Sequence, residues 1–232
     1  MEDAHHLDMD FGGQKWVYGG IYDGHGGERA ARYAADHLHK RFLERITSGM
    51  QPVDAFVQSY DQISRDLENQ DSGTAAVDFF IRGNDVFTAN AGDSRAIVVS
   101  KTGFKQLSVD HRVDDSAERE RVLQTGASIS YPYVMRGAQG LMTTRSIGDR
   151  YFRPAGVIST PFTTHHAISN DDMLLISASD GLWDVMTSGE VCDMVREYPE
   201  PDDLLPALKD EVLNNRSGTD NLTIIAVTLP GA

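Results

Sequence analysis

Four aspartates occupy places where carboxylates from distant parts of a chain can meet. Asp23 follows the apolar run "WVYGGIY", Asp93 lies between "DVFTANA" and "RAIVVS", Asp180 follows "MLLISAS", and Asp220 stands just before "NLTIIAVTL". Each falls at a predicted strand end or turn, and the ends of neighbouring strands lie side by side along one rim of a sheet. Carboxylates brought that close repel one another unless a cation sits between them. The donors are all oxygen, with no cysteine cluster, which suits a hard ion such as Mg²⁺ or Mn²⁺ better than structural zinc. Glu2 and Asp3 add two more carboxylates. Gly24 and Gly181, each directly after an aspartate, permit close backbone approach, and Gly24 can offer its carbonyl.

A plainer reading competes with this one. Asp-Gly after an apolar run is also a strong hairpin signal. After Asp23-Gly24, however, His25-Gly26-Gly27 leads into a helical pattern and not into a second strand, so no hairpin is required there. His25 is either a structural residue of that turn or a proton donor, since imidazole titrates near neutral pH.

The elements that must position these groups show in the periodicities. Ala30, Ala34, Leu38, Phe42 and Ile46 recur every four residues and predict a helix with one buried face. A second helix follows Pro52, carrying Val53, Phe56, Tyr60, Ile63 and Leu67. The period then changes: "TAAVDFFI", "DVFTANA" and "RAIVVS" are short, β-branched or aromatic, and separated by turns, which predicts an antiparallel meander. Helices are expected after Asp114-Asp115, after the capping box Thr187–Glu190, and around Leu204–Val212. Ser128 to Gly140 shows no period and reads as an irregular surface flap. Early helices followed by runs of strands favour segregated α+β layering over βαβ winding.

Composition narrows the function. Thirty-five acidic against 21 basic residues give a formal charge of −14, which opposes attraction to nucleic acid or to an anionic membrane surface. The single cysteine, Cys192, excludes an internal disulfide framework and fits an intracellular protein, cytoplasmic or nuclear. Tyr198 stands six positions after it, where a cysteine-based phosphoesterase would need an arginine, so any ester cleavage here uses another nucleophile. No window reaches the ~18 apolar residues of a membrane span, and "MEDAHHLDMD" lacks the parts of a signal peptide. The 232 residues hold no linker-like stretch and read as one domain, 1–232. The pairs His5-His6 and His165-His166 read as solvated side chains, because neighbours on a strand point to opposite faces.

Eight blocks occur in the order seen in the metal-dependent Ser/Thr protein phosphatases of the 2C type, the PPM family: "MED", "YDGHGG", "SGTAA", "ANAGDSRA", "DHR", "TRSIGD", "ASDGLWDV" and "GTDNLT". The resemblance spans the chain. It implies an α-β-β-α sandwich, with two antiparallel sheets face to face and helices on their outer sides. It also implies Mg²⁺- or Mn²⁺-dependent hydrolysis of phosphoserine and phosphothreonine in protein substrates, by water activated between two ions. Asp23 resembles the bridging ligand, Glu2 and the Gly24 carbonyl complete one ion's protein ligands, and Asp180 and Asp220 serve the other. Asp93 matches a residue that, with Asp180, holds a third ion in some members. His25 is then the general acid, Asp3 accepts from metal-bound water, and Asp184 has a counterpart near the site or caps the following helix. Arg145 looks structural. Members of the family carry a first strand and a phosphate-gripping arginine before the "MED" block, positions not present in this sequence. The expectation is of a trimmed piece, with a catalytically impaired relative that acts as a binding module as the alternative.

Overall fold

The computed structural model describes residues 1–229. Strand β1 (Ala4–Phe11) pairs with β2 (Trp16–His25), and helices α1 (Arg29–Thr47) and α2 (Pro52–Asp66) follow. The chain then forms β3 (Gly73–Arg82), β4 (Asp85–Ala91), β5 (Arg95–Ser100), β6 (Gly103–Gln106) and α3 (Ser116–Gln124). Short strands β7 (Ser128–Ser130), β8 (Tyr133–Arg136), β9 (Gln139–Leu141) and β10 (Ile147–Gly148) precede a 3₁₀ segment, Arg150–Ala155. After β11 (Phe162–Ala167) and β12 (Asp172–Ala178) come α4 (Asp180–Trp183), α5 (Ser188–Glu197), α6 (Pro201–Asp210) and β13 (Ile224–Thr228).

Two antiparallel sheets carry the molecule. The first runs β1-β2-β3-β4-β11, with β10 also paired to β3, and the second runs β13-β12-β5-β6. Alternation along β3 shows how the layers form: Ala76 and Phe80 face α1 and α2, whereas Val77, Phe79 and Ile81 face the second sheet. With both faces covered, β3 reads as a continuous apolar run rather than an alternating one. The predicted stripe on α1, from Ala30 to Ile46, is buried against the first sheet together with Phe56, Tyr60 and Ile63 of α2. Val191, Cys192 and Val195 of α5 and Leu204 and Leu208 of α6 cover the second sheet through Ile97, Val99, Leu174 and Ile176. The α-β-β-α sandwich expected from the resemblance is the fold observed.

Local readings are corrected in five places. The Asp23-Gly24 dipeptide is not a turn, because β2 continues through His25, which lies opposite Gly73 on β3. The predicted meander splits after β4: the three-residue connection Gly92-Asp93-Ser94 crosses from one sheet to the other, and β5 pairs with β12 and β6. The flap is not irregular, since β7, β8 and β9 form a small antiparallel sheet held to the body by Val122, Val134, Phe152 and Val157. His6 is not solvated; its ring stacks on that of His39 at 3.6 Å between centroids, and its Nε2 is buried without a partner. His166 is also half-buried, bonded to Asp172 at 2.9 Å. The capping box at Thr187 and Glu190 forms as expected.

Candidate active site

The rims of both sheets meet at one end of the sandwich. Asp23 sits opposite Ala75 near the end of β2, and the Thr74 hydroxyl donates to its carbonyl at 2.9 Å, which fixes the backbone beneath the carboxylate. Asp180 opens α4 directly beyond β12, and the Ser179 amide bonds to the Thr223 carbonyl at 3.0 Å, tying it to the segment that carries Asp220. Residues before β1 lie over the same place: the Glu2 amide donates to Asn221 Oδ1 at 2.7 Å, and Thr223 donates to Asp3 at 2.6 Å. A Cβ at Gly24 would run into the Glu2 carbonyl, so this approach requires glycine. Glu2, Asp23, Gly24, His25, Asp93, Asp180 and Asp220 thereby line one cleft of about 330 Å³. Asp3 sits behind it and Asp184 beside it.

The charges in this cleft are strongly coupled. Burial, followed by the neighbouring carboxylates of Asp180 and Asp3, pushes the Asp23 carboxyl far above the usual range. Burial and the Asp93 charge push Asp180 up as well, and the Asp23 and Asp180 carboxyls share a hydrogen bond. Asp93 is raised by its burial, against the opposing pull of Arg112. Asp3 is raised chiefly by burial. Such a set holds protons, or binds cations, to relieve its own repulsion. The all-oxygen donors, the raised carboxyls and the Gly24 cradle fit a hard divalent ion. Among the described residues no three His, Cys, Asp or Glu side chains already stand as a closed chelate.

Two residues that sequence reasoning left without a role complete the geometry. His25 Nε2 lies 2.6 Å from Asp149 Oδ2. Burial lowers the imidazole pKa, but the Asp149 hydrogen bond and charge, with Asp93 and Glu2 beyond, more than offset this and hold it above its ordinary value. Asp149 itself is in the left-handed region at φ 50°, with its carboxylate against the Cα of Gly73, where a Cβ would collide with it. Arg112 reaches three carboxylates at once: Nε to Asp93 at 2.7 Å, Nη2 to Asp180 at 3.2 Å and Nη1 to Asp184 at 2.9 Å. Asp184 is therefore an anchor for Arg112 at the end of α4, and the following helix is capped by Thr187 instead. Arg145 is structural as expected, bonded to Glu118 at 2.7 Å and to the Thr160 carbonyl at 2.9 Å. Both missed residues lay in quoted motifs, "TRSIGD" and "DHR"; the signal was there, but the pairing exists only in the folded chain.

A second, larger cleft of about 870 Å³ opens beside the first, lined by Asp71, Gln139, Gly140, Asp149 and Tyr151 among others. His25 and Leu141 border both clefts. An acidic chamber suited to a cation-bound anion thus joins a broader trough along β9.

A sequence model of the family described as Protein phosphatase 2C matches residues 1–221. Among curated proteins, "Protein phosphatase 2C homolog 1" of Saccharomyces cerevisiae is 32% identical over 253 aligned residues, covering 99% of this chain and 88% of its own. Its namesake in Schizosaccharomyces pombe is 36% identical, covering 99% of this chain and 69% of its own. Among solved structures, serine-threonine phosphatase 2C from Toxoplasma gondii superposes with a TM-score of 0.76 at 20% identity, over 92% of this chain and 84% of that one. A Caenorhabditis elegans sex determining protein superposes with a TM-score of 0.83 at 24% identity, over 98% and 61%. At these identities the two structures bear on the fold alone.

Proposed function

The chain belongs to the protein phosphatase 2C family and is a protein phosphatase, and on that premise we propose that it hydrolyses phosphoserine and phosphothreonine in intracellular proteins with Mg²⁺ or Mn²⁺. The observation that carries this reading is the meeting of Glu2, Asp23, Gly24, His25, Asp93, Asp180 and Asp220 around one cleft. Asp23 would bridge two ions, with Glu2 and the Gly24 carbonyl on one side and Asp180 and Asp220 on the other; Asp93 with Asp180 would take a third. When bound, the ions supply a water acidic enough to attack at neutral pH and screen the charge of the phosphate.

The chain's own groups do the rest. Asp3, held by Thr223, keeps a carboxylate behind Glu2 and fixes the direction of that approach. His25, with Nε2 engaged by Asp149, has Nδ1 left from which to protonate the serine or threonine oxygen as it departs. The trough along β9 would seat the peptide while its phosphorylated side chain enters the acidic chamber. No cysteine takes part: Cys192 is buried under the second sheet, and burial raises its thiol pKa.

Phosphate release from a phosphothreonine peptide tests the reading. Turnover with Mn²⁺ or Mg²⁺, abolished by chelator and by Asp180→Asn, is expected. A folded protein that binds the metal but releases no phosphate would refute it.

A further inference from the structure

Every guanidinium nitrogen of Arg112 is spent on a carboxylate at the cleft, one each on Asp93, Asp180 and Asp184. Asp93 is almost wholly buried, and its Oδ2 lies 2.7 Å from Arg112 Nε. A carboxylate oxygen bonded in this way has part of its acceptor capacity taken, and the guanidinium's positive charge lies against both Asp93 and Asp180, where a cation would approach. The backbone at Arg112 is fixed by a bridge to Thr143 and by its amide bond to the Asp110 carbonyl at 3.1 Å. Only the side chain can move, and at 23% exposure it has solvent on one side. Asp184, half exposed, gives it an anchor farther out than Asp93.

We propose that Arg112 is an internal competitor for the cation position between Asp93 and Asp180. The guanidinium and a divalent ion compete for the same pair of carboxylates, so filling that position works against the charge and hydrogen bonds of Arg112 unless its side chain rotates away from Asp93, and the position is weakened accordingly. Asp184 retains the displaced side chain at the mouth of the cleft. This inference rests on the metal-dependent reading above and adds to it a residue that sets metal occupancy.

Calorimetric titration of Mn²⁺ into the wild-type chain and into Arg112→Lys tests it, because lysine keeps the positive charge and loses the three-pronged contact. A weak binding phase is expected in wild type. In Arg112→Lys it should tighten about tenfold or more, as one charge-assisted contact is no longer displaced; adding Asp93→Asn should abolish the phase. Equal affinities in wild type and Arg112→Lys would overturn the proposal. A second measurement needs no variant: the Arg112 Nε–H resonance should shift over the same Mg²⁺ concentrations that fill the weak position, and a resonance unmoved at saturation would also overturn it. If the wild-type chain bound neither metal, the metal-dependent reading would fall too, whereas tight binding without a response from Arg112 would remove this inference alone.

Discussion

Under the proposed function, His25 and Asp149 would divide one task between a group that gives up a proton and a group that aims it. An alkoxide from serine or threonine is a poor leaving group, whereas an aryl oxide leaves without protonation. Replacing His25 with glutamine is therefore expected to slow hydrolysis of a phosphothreonine peptide by about 10²–10⁴, and hydrolysis of an aryl phosphate far less. Steady-state rates on the two substrates check this, and equal losses on both would remove His25 from proton transfer. Asp149→Asn keeps the shape and loses the charge, so it should lower the peptide rate in the same selective sense by a smaller factor. At this scale the meeting of the carboxylates in one cleft was legible, because a carboxylate after an apolar run marks a rim. The pairing of Asp149 with His25 was not, since it depends on a left-handed aspartate lodged against Gly73 across a strand pair, 124 residues away in sequence.

The element that borders both clefts is the small sheet β7-β8-β9, through Leu141. Its strands have three or four residues each, too few for alternation to show, which is why the segment read as irregular. The helices were legible for the opposite reason: α1 repeats its buried residue over 19 positions. The connection Gly92-Asp93-Ser94 misled because its length is that of a hairpin. Its carbonyl at Gly92 instead accepts from the His111 amide at 2.9 Å and its carboxylate from Arg112, which draws the chain across to the second sheet. If the small sheet seats peptide, replacing Tyr133–Leu141 with a short Gly-Ser loop should raise KM for a phosphopeptide while leaving kcat for a small aryl phosphate nearly unchanged. Parallel kinetics on both substrates decide this, and an unchanged peptide KM would place the docking surface elsewhere.

At the scale of the whole molecule, one fully buried carboxyl on the first sheet ties that sheet to the helix α2 packed on it. Asp78, fully buried on β3, accepts hydroxyls from Tyr18 at 2.7 Å, Tyr22 at 2.6 Å and Tyr60 at 2.6 Å, joining β2, β3 and α2. Burial pushes its pKa up to about 6, even though the three hydroxyls favour the carboxylate. The folded pKa thus lies above the unfolded value, so the folded chain binds more protons than the unfolded chain between about pH 4 and 6. Its contribution to stability is complete below that window and is lost as pH rises through about 6. Asp78→Asn cannot titrate and should remove this component. The unfolding free energy of wild type minus that of Asp78→Asn is expected to fall by about 2–3 kcal/mol from pH 4 to pH 7. Taking the difference cancels the opposite trend from His111, whose pKa burial lowers to about 4, and from Glu118, lowered by Arg121 and Arg145 against its burial. Denaturant titrations at several pH values measure it. A difference that did not change with pH would mean that the three phenols hold Asp78 ionised throughout, with hydrogen bonding outweighing desolvation.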